Sequence, residues 1–134
     1  MRDGRTARRV VRGPAADLGA FLERFDATLV VERGAIAGDE HLLDREKLVL
    51  GRGDGADLRF DDSEMSSQHA LVEFTGEGFR VRDLGSTNWT RVNGAAVQAR
   101  ELETGDRIEV GQHVFRFRLE ALEPAPRVYC IPED

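Results

Sequence analysis

Little in this chain can staple, span a membrane or cut a bond. There is one cysteine, Cys130, in 134 residues. That excludes an intramolecular disulfide and a cysteine-rich zinc site, and it fits a reducing, cytoplasmic setting. No apolar run approaches the roughly 20 residues needed to cross a bilayer. The basic first residues lack the apolar segment of a signal peptide. The three histidines are too scattered to suggest a ligand set, so neither metal nor cofactor is expected. Gly51-x-Gly53-x-Gly55 is glycine-rich, but no helix pattern follows it and Gly-Lys-Ser/Thr is absent, which argues against a nucleotide cradle. Inside a cell, the sequon Asn88-Trp89-Thr90 and the tripeptide Arg52-Gly53-Asp54 read as accidental.

What is present suits one globular domain. Hydrophobic residues make up 40% and charged residues 33%, enough for a core and a well-solvated surface. The net charge of -6 disfavours nucleic-acid binding by bulk charge. Residues 1–26 are expected to be a basic, partly disordered extension carrying Arg2, Arg5, Arg8, Arg9 and Arg12, with a short helix from Ala15 to Phe25. Leu18, Phe21, Leu22 and Phe25 share one face of that helix, which either packs on the domain or docks a partner. From Thr28 the pattern turns to short alternating runs, with turn signals every 8–12 residues, the mark of a β-sandwich or barrel. Runs over Leu29–Val31, His41–Leu43, Lys47–Leu50, Asp57–Phe60, Ala70–Phe74, Phe79–Val81, Ile108–Val110 and Phe115–Leu119 read as strands. The domain itself is placed at 27–120, followed by a proline-containing tail, 121–134, whose Val128, Tyr129 and Ile131 either fold back or bind a partner.

Residues 83–94, Asp-Leu-Gly-Ser-Thr-Asn-Trp-Thr-Arg-Val-Asn-Gly, form the stretch around which the rest is placed. It presents hydroxyls, amides and backbone N–H groups, but no nucleophile–base pair, so it suits holding a polar group rather than cleaving one. Two other polar pieces, Gly51-Arg52-Gly53 and Ser66-Ser67-Gln68-His69, also border hydrophobic runs. Together they would suit a phosphate and the peptide backbone beside it.

These pieces resemble, in order and spacing, the signature of the forkhead-associated (FHA) domain. They are Gly51-Arg52, Ser66-x-x-His69, Gly85 to Thr90, and Asn93-Gly94. The resemblance covers about residues 28–119 and implies a two-sheet antiparallel β-sandwich, all-β apart from the short helix, that binds phosphothreonine peptides through loops at one end. It implies a non-enzymatic adaptor in Ser/Thr kinase signalling. The partner would be a phosphothreonine-containing protein or peptide, such as a kinase or its substrate, and not nucleic acid or membrane. The competing reading is a constitutive interaction scaffold with a degenerate phosphate site.

By the resemblance, Arg52, Ser66 and Thr87 contact phosphate, and Asn88 contacts the peptide backbone. The position of Ser67 often contacts phosphate too, though many relatives carry Arg there and Ser67 gives up that charge. A guanidinium can offer parallel charge-assisted bonds of roughly 1.5–3 kcal/mol each. The bland alternative for Arg52 is a surface pair with Asp54 or Asp61. His69 is read as structural rather than as a base for Ser66, since no acid is spaced to orient it. Gly51, Gly85 and Asn93 are read as loop-shaping. Trp89 departs from the family, which usually has glycine there. If that position needs positive φ, the side chain is strained by about 1–2 kcal/mol, and it either walls the peptide or packs on the surface. Glu64, with Asp61 and Asp62, is a specificity candidate favouring a basic or polar residue in the ligand, or else a solvated acidic turn.

Overall fold

The computed structural model describes residues 17–34 and 36–122. The arginine-rich residues 1–12 and the tail from Glu123 onward lie outside the described residues, as do the readings made of them. The helix α1 (Leu18–Leu22) is shorter than the periodicity predicts. Asp17 caps it, its Oδ1 accepting the Gly19 N–H at 2.9 Å. Phe25 is not helical but opens β1 (Phe25–Arg33), where it pairs with Ala121. The alternation Ala27, Leu29, Val31 buries one face of that strand and outcompetes continued helix. The expected boundary between Asp26 and Ala27 therefore falls inside a strand.

Ten more strands follow: β2 (Glu40–Leu42), β3 (Lys47–Gly51), β4 (Leu58–Arg59), β5 (Ala70–Phe74), β6 (Phe79–Asp83), β7 (Thr90–Val92), β8 (Ala95–Val97), β9 (Ala99–Glu101), β10 (Arg107–Val110) and β11 (His113–Ala121). One sheet has the order β2-β1-β11-β10-β7-β8 and the other β4-β3-β5-β6-β9. Leu29, Ile108, Phe115 and Phe117 from the first sheet and Leu50, Val72, Phe79 and Val81 from the second share one core. The architecture is the expected β-sandwich. The neighbouring runs at 41–43 and 47–50 do not pair with each other; they lie in different sheets, and 44–46 crosses between them.

Pairing is antiparallel except between β3 and β4, where Leu50 faces Leu58 and Gly51 faces Arg59 in parallel. β9 has no strong sequence pattern, being Ala-Arg-Glu with all three residues exposed, and is recruited by pairing with β6. β5 reads as half-buried by alternation, yet Ala70 to Glu73 are all buried. It lies between β3 and β6, and Arg80 and Arg82 close over its outer side to pair with Glu73. Asn93 (φ 52°) and Gly94 (φ 89°) make the two-residue turn joining β7 to β8, a geometry that Asn-Gly favours.

α1 packs onto the core through Leu18 and Phe21, with Leu22 half-buried beside them. Phe21 stacks on Phe25 with ring centroids 4.8 Å apart, and lies 5.1 Å from Phe74 and 5.9 Å from Phe79. The shared apolar face of the helix is thus committed to the domain. Phe21→Ala should lower unfolding free energy by about 3 kcal/mol in urea titration; a loss below about 1 kcal/mol would return the face to a partner-docking role.

Candidate functional site

Three loops and one turn meet at one end of the sandwich: 52–57 after β3, 60–69 before β5, 84–89 before β7, and Gly111-Gln112 between β10 and β11. The first two are zipped by backbone bonds, Arg52 N–H to Ser66 O (3.0 Å) and Gly53 N–H to Ser67 O (3.1 Å). This close approach explains the glycine run. A Cβ on Gly51 would collide with the Ser67 carbonyl, and one on Gly53 with the Ser67 Cβ, whereas one on Gly55 would meet only the movable end of the Gln68 side chain. Arg52 Nε donates to the Met65 carbonyl at 3.1 Å, which aims the guanidinium while the Met65 side chain is buried in the core.

His69 is wholly buried. Its Nδ1 accepts the Ser66 N–H at 3.0 Å, so the ring proton sits on Nε2, which donates to the Trp89 carbonyl at 2.8 Å. Both nitrogens are therefore occupied by backbone, and none is left to deprotonate Ser66. The Ser66 hydroxyl oxygen accepts the Thr87 N–H at 3.1 Å, leaving its own proton to donate outward. Trp89 has φ 68°, the left-handed backbone that its glycine-like position implies. The bond from His69 holds it there, and its side chain is 53% exposed.

Asp83 shapes the third loop from inside. Its carboxylate accepts the Gly85 and Ser86 N–H groups and the Ser86 and Thr90 hydroxyls. Burial works to raise its pKa; the Ser86 and Thr90 bonds, with the two N–H groups, outweigh it and hold the carboxyl below its ordinary value. Asp62 does the same for the second loop. Burial opposes its charge, but His113 Nδ1 (2.8 Å) and the Gln112 (2.7 Å) and Glu64 (2.9 Å) N–H groups prevail and lower its pKa. At 2% exposure Asp62 faces the fold and not a ligand, contrary to its expected place beside Glu64.

The loops enclose an open cavity of about 380 Å³, lined by Arg52, the run from Ser63 to Ser67, Thr87 and Asn88. The five residues expected to bind a phosphopeptide, Arg52, Ser66, Ser67, Thr87 and Asn88, are brought together there, with Glu64. Arg52 forms no ion pair among the described residues, since Asp54 pairs with Arg59 at 3.0 Å. A second cavity, about 310 Å³, adjoins the first through Arg52 and is bordered by Arg59, Phe60 and Asp61. Asn88 differs from expectation in one respect: its Nδ2 donates to the Glu64 carbonyl at 2.9 Å, leaving one N–H and Oδ1 for a ligand. Trp89 does not line the cavity. Asn93 lies outside it too, joining the β7–β8 turn to Asp106 and the Arg107 N–H at 3.0 Å each. Gly85 takes φ 77° in the third loop.

The FHA domain family matches residues 48–111. A solved structure from work on phosphothreonine-dependent FHA domain interactions is 32% identical, with a TM-score of 0.64 over 74% of this chain and 98% of its own. This chain belongs to the FHA family. The FHA domain of FhaA, solved in complex with an intracellular domain of another protein, is 34% identical over 69% of this chain and 99% of its own, with a TM-score of 0.63. Among full-length relatives, an oxoglutarate dehydrogenase inhibitor of Corynebacterium efficiens is 39% identical over 79% of this chain and 72% of its own length. The glycogen accumulation regulator GarA of Mycolicibacterium smegmatis is 40% identical over 69% of this chain, which spans 56% of that protein. The oxoglutarate dehydrogenase inhibitor of Corynebacterium jeikeium is spanned over 62% of its length.

Three residues important to the FHA site escaped the sequence reading. Asp83 was available, since an acid two residues before Gly85 and three before Ser86 is an Asx-turn signal. Gly53 could be read only as flexible, because its partner Ser67 is distant in sequence. Gln112, which donates to Glu64 Oε2 at 3.1 Å, carried no signal at all.

Acid should loosen the domain, at the loop end and on the outer face of the second sheet. The carboxyls of Asp62, Asp83 and Glu73 all lie below their ordinary values of 3.8, 3.8 and 4.5. Their stabilisation is fully present above those values and is lost as pH falls through the lower, folded-state values. Thermal unfolding followed from about pH 7 to about pH 2 should show the midpoint falling below about pH 4. Asp83→Asn should be less stable at neutral pH, with a shallower acid slope; an unchanged slope would contradict the assignment.

Proposed function

We propose that this domain is a non-enzymatic adaptor that captures phosphothreonine segments in Ser/Thr kinase signalling. Arg52, Ser66 and Thr87 take the phosphate, Ser67 adds a hydroxyl, and Asn88 takes the adjoining peptide backbone. The observation that carries this reading is the Arg52 guanidinium. It is oriented through Nε, unpaired with any described carboxylate, and set in the same cavity as the Ser66 and Thr87 hydroxyls. A dianionic phosphate needs such a set of donors, each fixed before it arrives.

A hydrolytic reading is disfavoured because both His69 nitrogens are engaged by backbone and so cannot activate Ser66. The relatives named inhibitor and regulator suit a protein that acts by binding. The solved phosphothreonine-dependent FHA domain supplies the ligand class. Threonine over serine would rest on a small apolar contact for the extra methyl, about 1 kcal/mol.

Arg52→Ala removes one or two charge-assisted bonds and should weaken phosphothreonine-peptide binding about 100-fold or more in calorimetric titration. Its thermal midpoint should stay within about 2 °C of the parent, because the lost side chain is exposed. Undiminished binding by this variant, or equal binding of phosphorylated and dephosphorylated peptides by the parent, would overturn the proposal in favour of a phosphate-independent scaffold.

A further inference from the structure

The main cavity carries charges of both signs. Its lining holds one cation, Arg52, and one anion, Glu64; the other side chains are neutral. Arg52 is therefore opposed within the cavity by a carboxylate that a phosphate would find repulsive. A segment bringing only negative charge would leave Glu64 uncompensated.

Glu64 is also held more firmly than a solvated turn residue requires. Its N–H donates to Asp62 Oδ1 at 2.9 Å, its carbonyl accepts from Asn88 Nδ2 at 2.9 Å, and its Oε2 accepts from Gln112 Nε2 at 3.1 Å. The clamp comes from three directions: its own loop, the 84–89 loop and the β10–β11 turn. The Gln112 N–H is in turn fixed on Asp62 Oδ2 at 2.7 Å. Asp62 itself is spent on these N–H groups and on His113, so it adds no free acceptor. Among the described residues Oε1 of Glu64 remains open, on an exposed residue at the wall of the cavity. Preorganising an exposed carboxylate in this way removes the ordering cost that normally makes surface ion pairs weak.

We infer that the cavity selects zwitterionic segments, a phosphothreonine accompanied within a few residues by lysine or arginine, with Glu64 receiving the cation and Gln112 acting as the positioning residue for Glu64. This rests on the phosphothreonine reading of the same cavity. Phosphate on Arg52 and ammonium or guanidinium on Glu64 leave both walls compensated. An acidic residue in the same place meets Glu64 and the phosphate at once.

The test is fluorescence anisotropy with phosphothreonine peptides in which a single Lys, Gln or Glu is moved through each position within about four of the phosphothreonine. The parent protein should show one position where Lys exceeds Glu by about tenfold and Gln by about threefold. In Glu64→Gln that preference should fall to within about twofold, with phosphate dependence retained and tighter binding of the Gln and Glu peptides. Gln112→Ala should give an intermediate preference while its thermal midpoint and its affinity for the Gln peptide stay near the parent's. Phosphate-dependent binding with no charge preference at any position, or a preference that survives Glu64→Gln, overturns this inference alone. No phosphate-dependent binding to any peptide overturns it together with the phosphothreonine reading.

Discussion

The imidazole of His69 accepts the Ser66 N–H on one edge and donates to the Trp89 carbonyl on the other, and so sets the distance between two loops far apart in sequence. A neutral imidazole is suited to this because its two nitrogens can be acceptor and donor at once, on a rigid ring. Buried without exposure, it could not leave either nitrogen unpaired without the cost of an unsatisfied polar group. With that spacing fixed, the Ser66 hydroxyl meets the Thr87 N–H and the Asn88 amide meets the Glu64 carbonyl. The same bond keeps Trp89 in left-handed backbone, a strain that only a surrounding lattice of contacts sustains.

Around this link the protein separates its acids by use. Asp83 and Asp62 are turned inward, saturated with donors and held ionised, and each braces one recognition loop from behind. Glu73 braces the outer face of the second sheet through Arg80 and Arg82. Glu64 alone of the acids near the cavity is turned toward it. The result is a rim whose loops are braced from behind by buried carboxylates, with Arg52 and Glu64 left facing the cavity.

Much of this could be read from residue order. The alternation of Phe79 and Val81 and the strand-bounding glycines follow from local rules, and they placed the sandwich. The motif residues Arg52, Ser66, Thr87 and Asn88 were visible through the resemblance to the FHA signature, whose order and spacing they match. What was hidden depends on contacts between distant segments. Phe25 looks helical until β11 offers it a pairing partner. β9 has no burial pattern and exists because β6 has a free edge. Asp62 reads as one of three similar acids, and only the approach of His113, from the far end of the chain, sets it apart from Asp61. Gln112 reaches Glu64 for the same reason.

The central claim is that four separate segments converge as one phosphate-reading rim. Backbone amide NMR during titration with a phosphothreonine peptide, and with its dephosphorylated twin, tests it most directly. The account predicts shifts concentrated at Arg52, at Glu64 to Ser67, and at Thr87 and Asn88, with the twin producing none of comparable size. Shifts centred on an outer sheet face, or equal for both peptides, would contradict it.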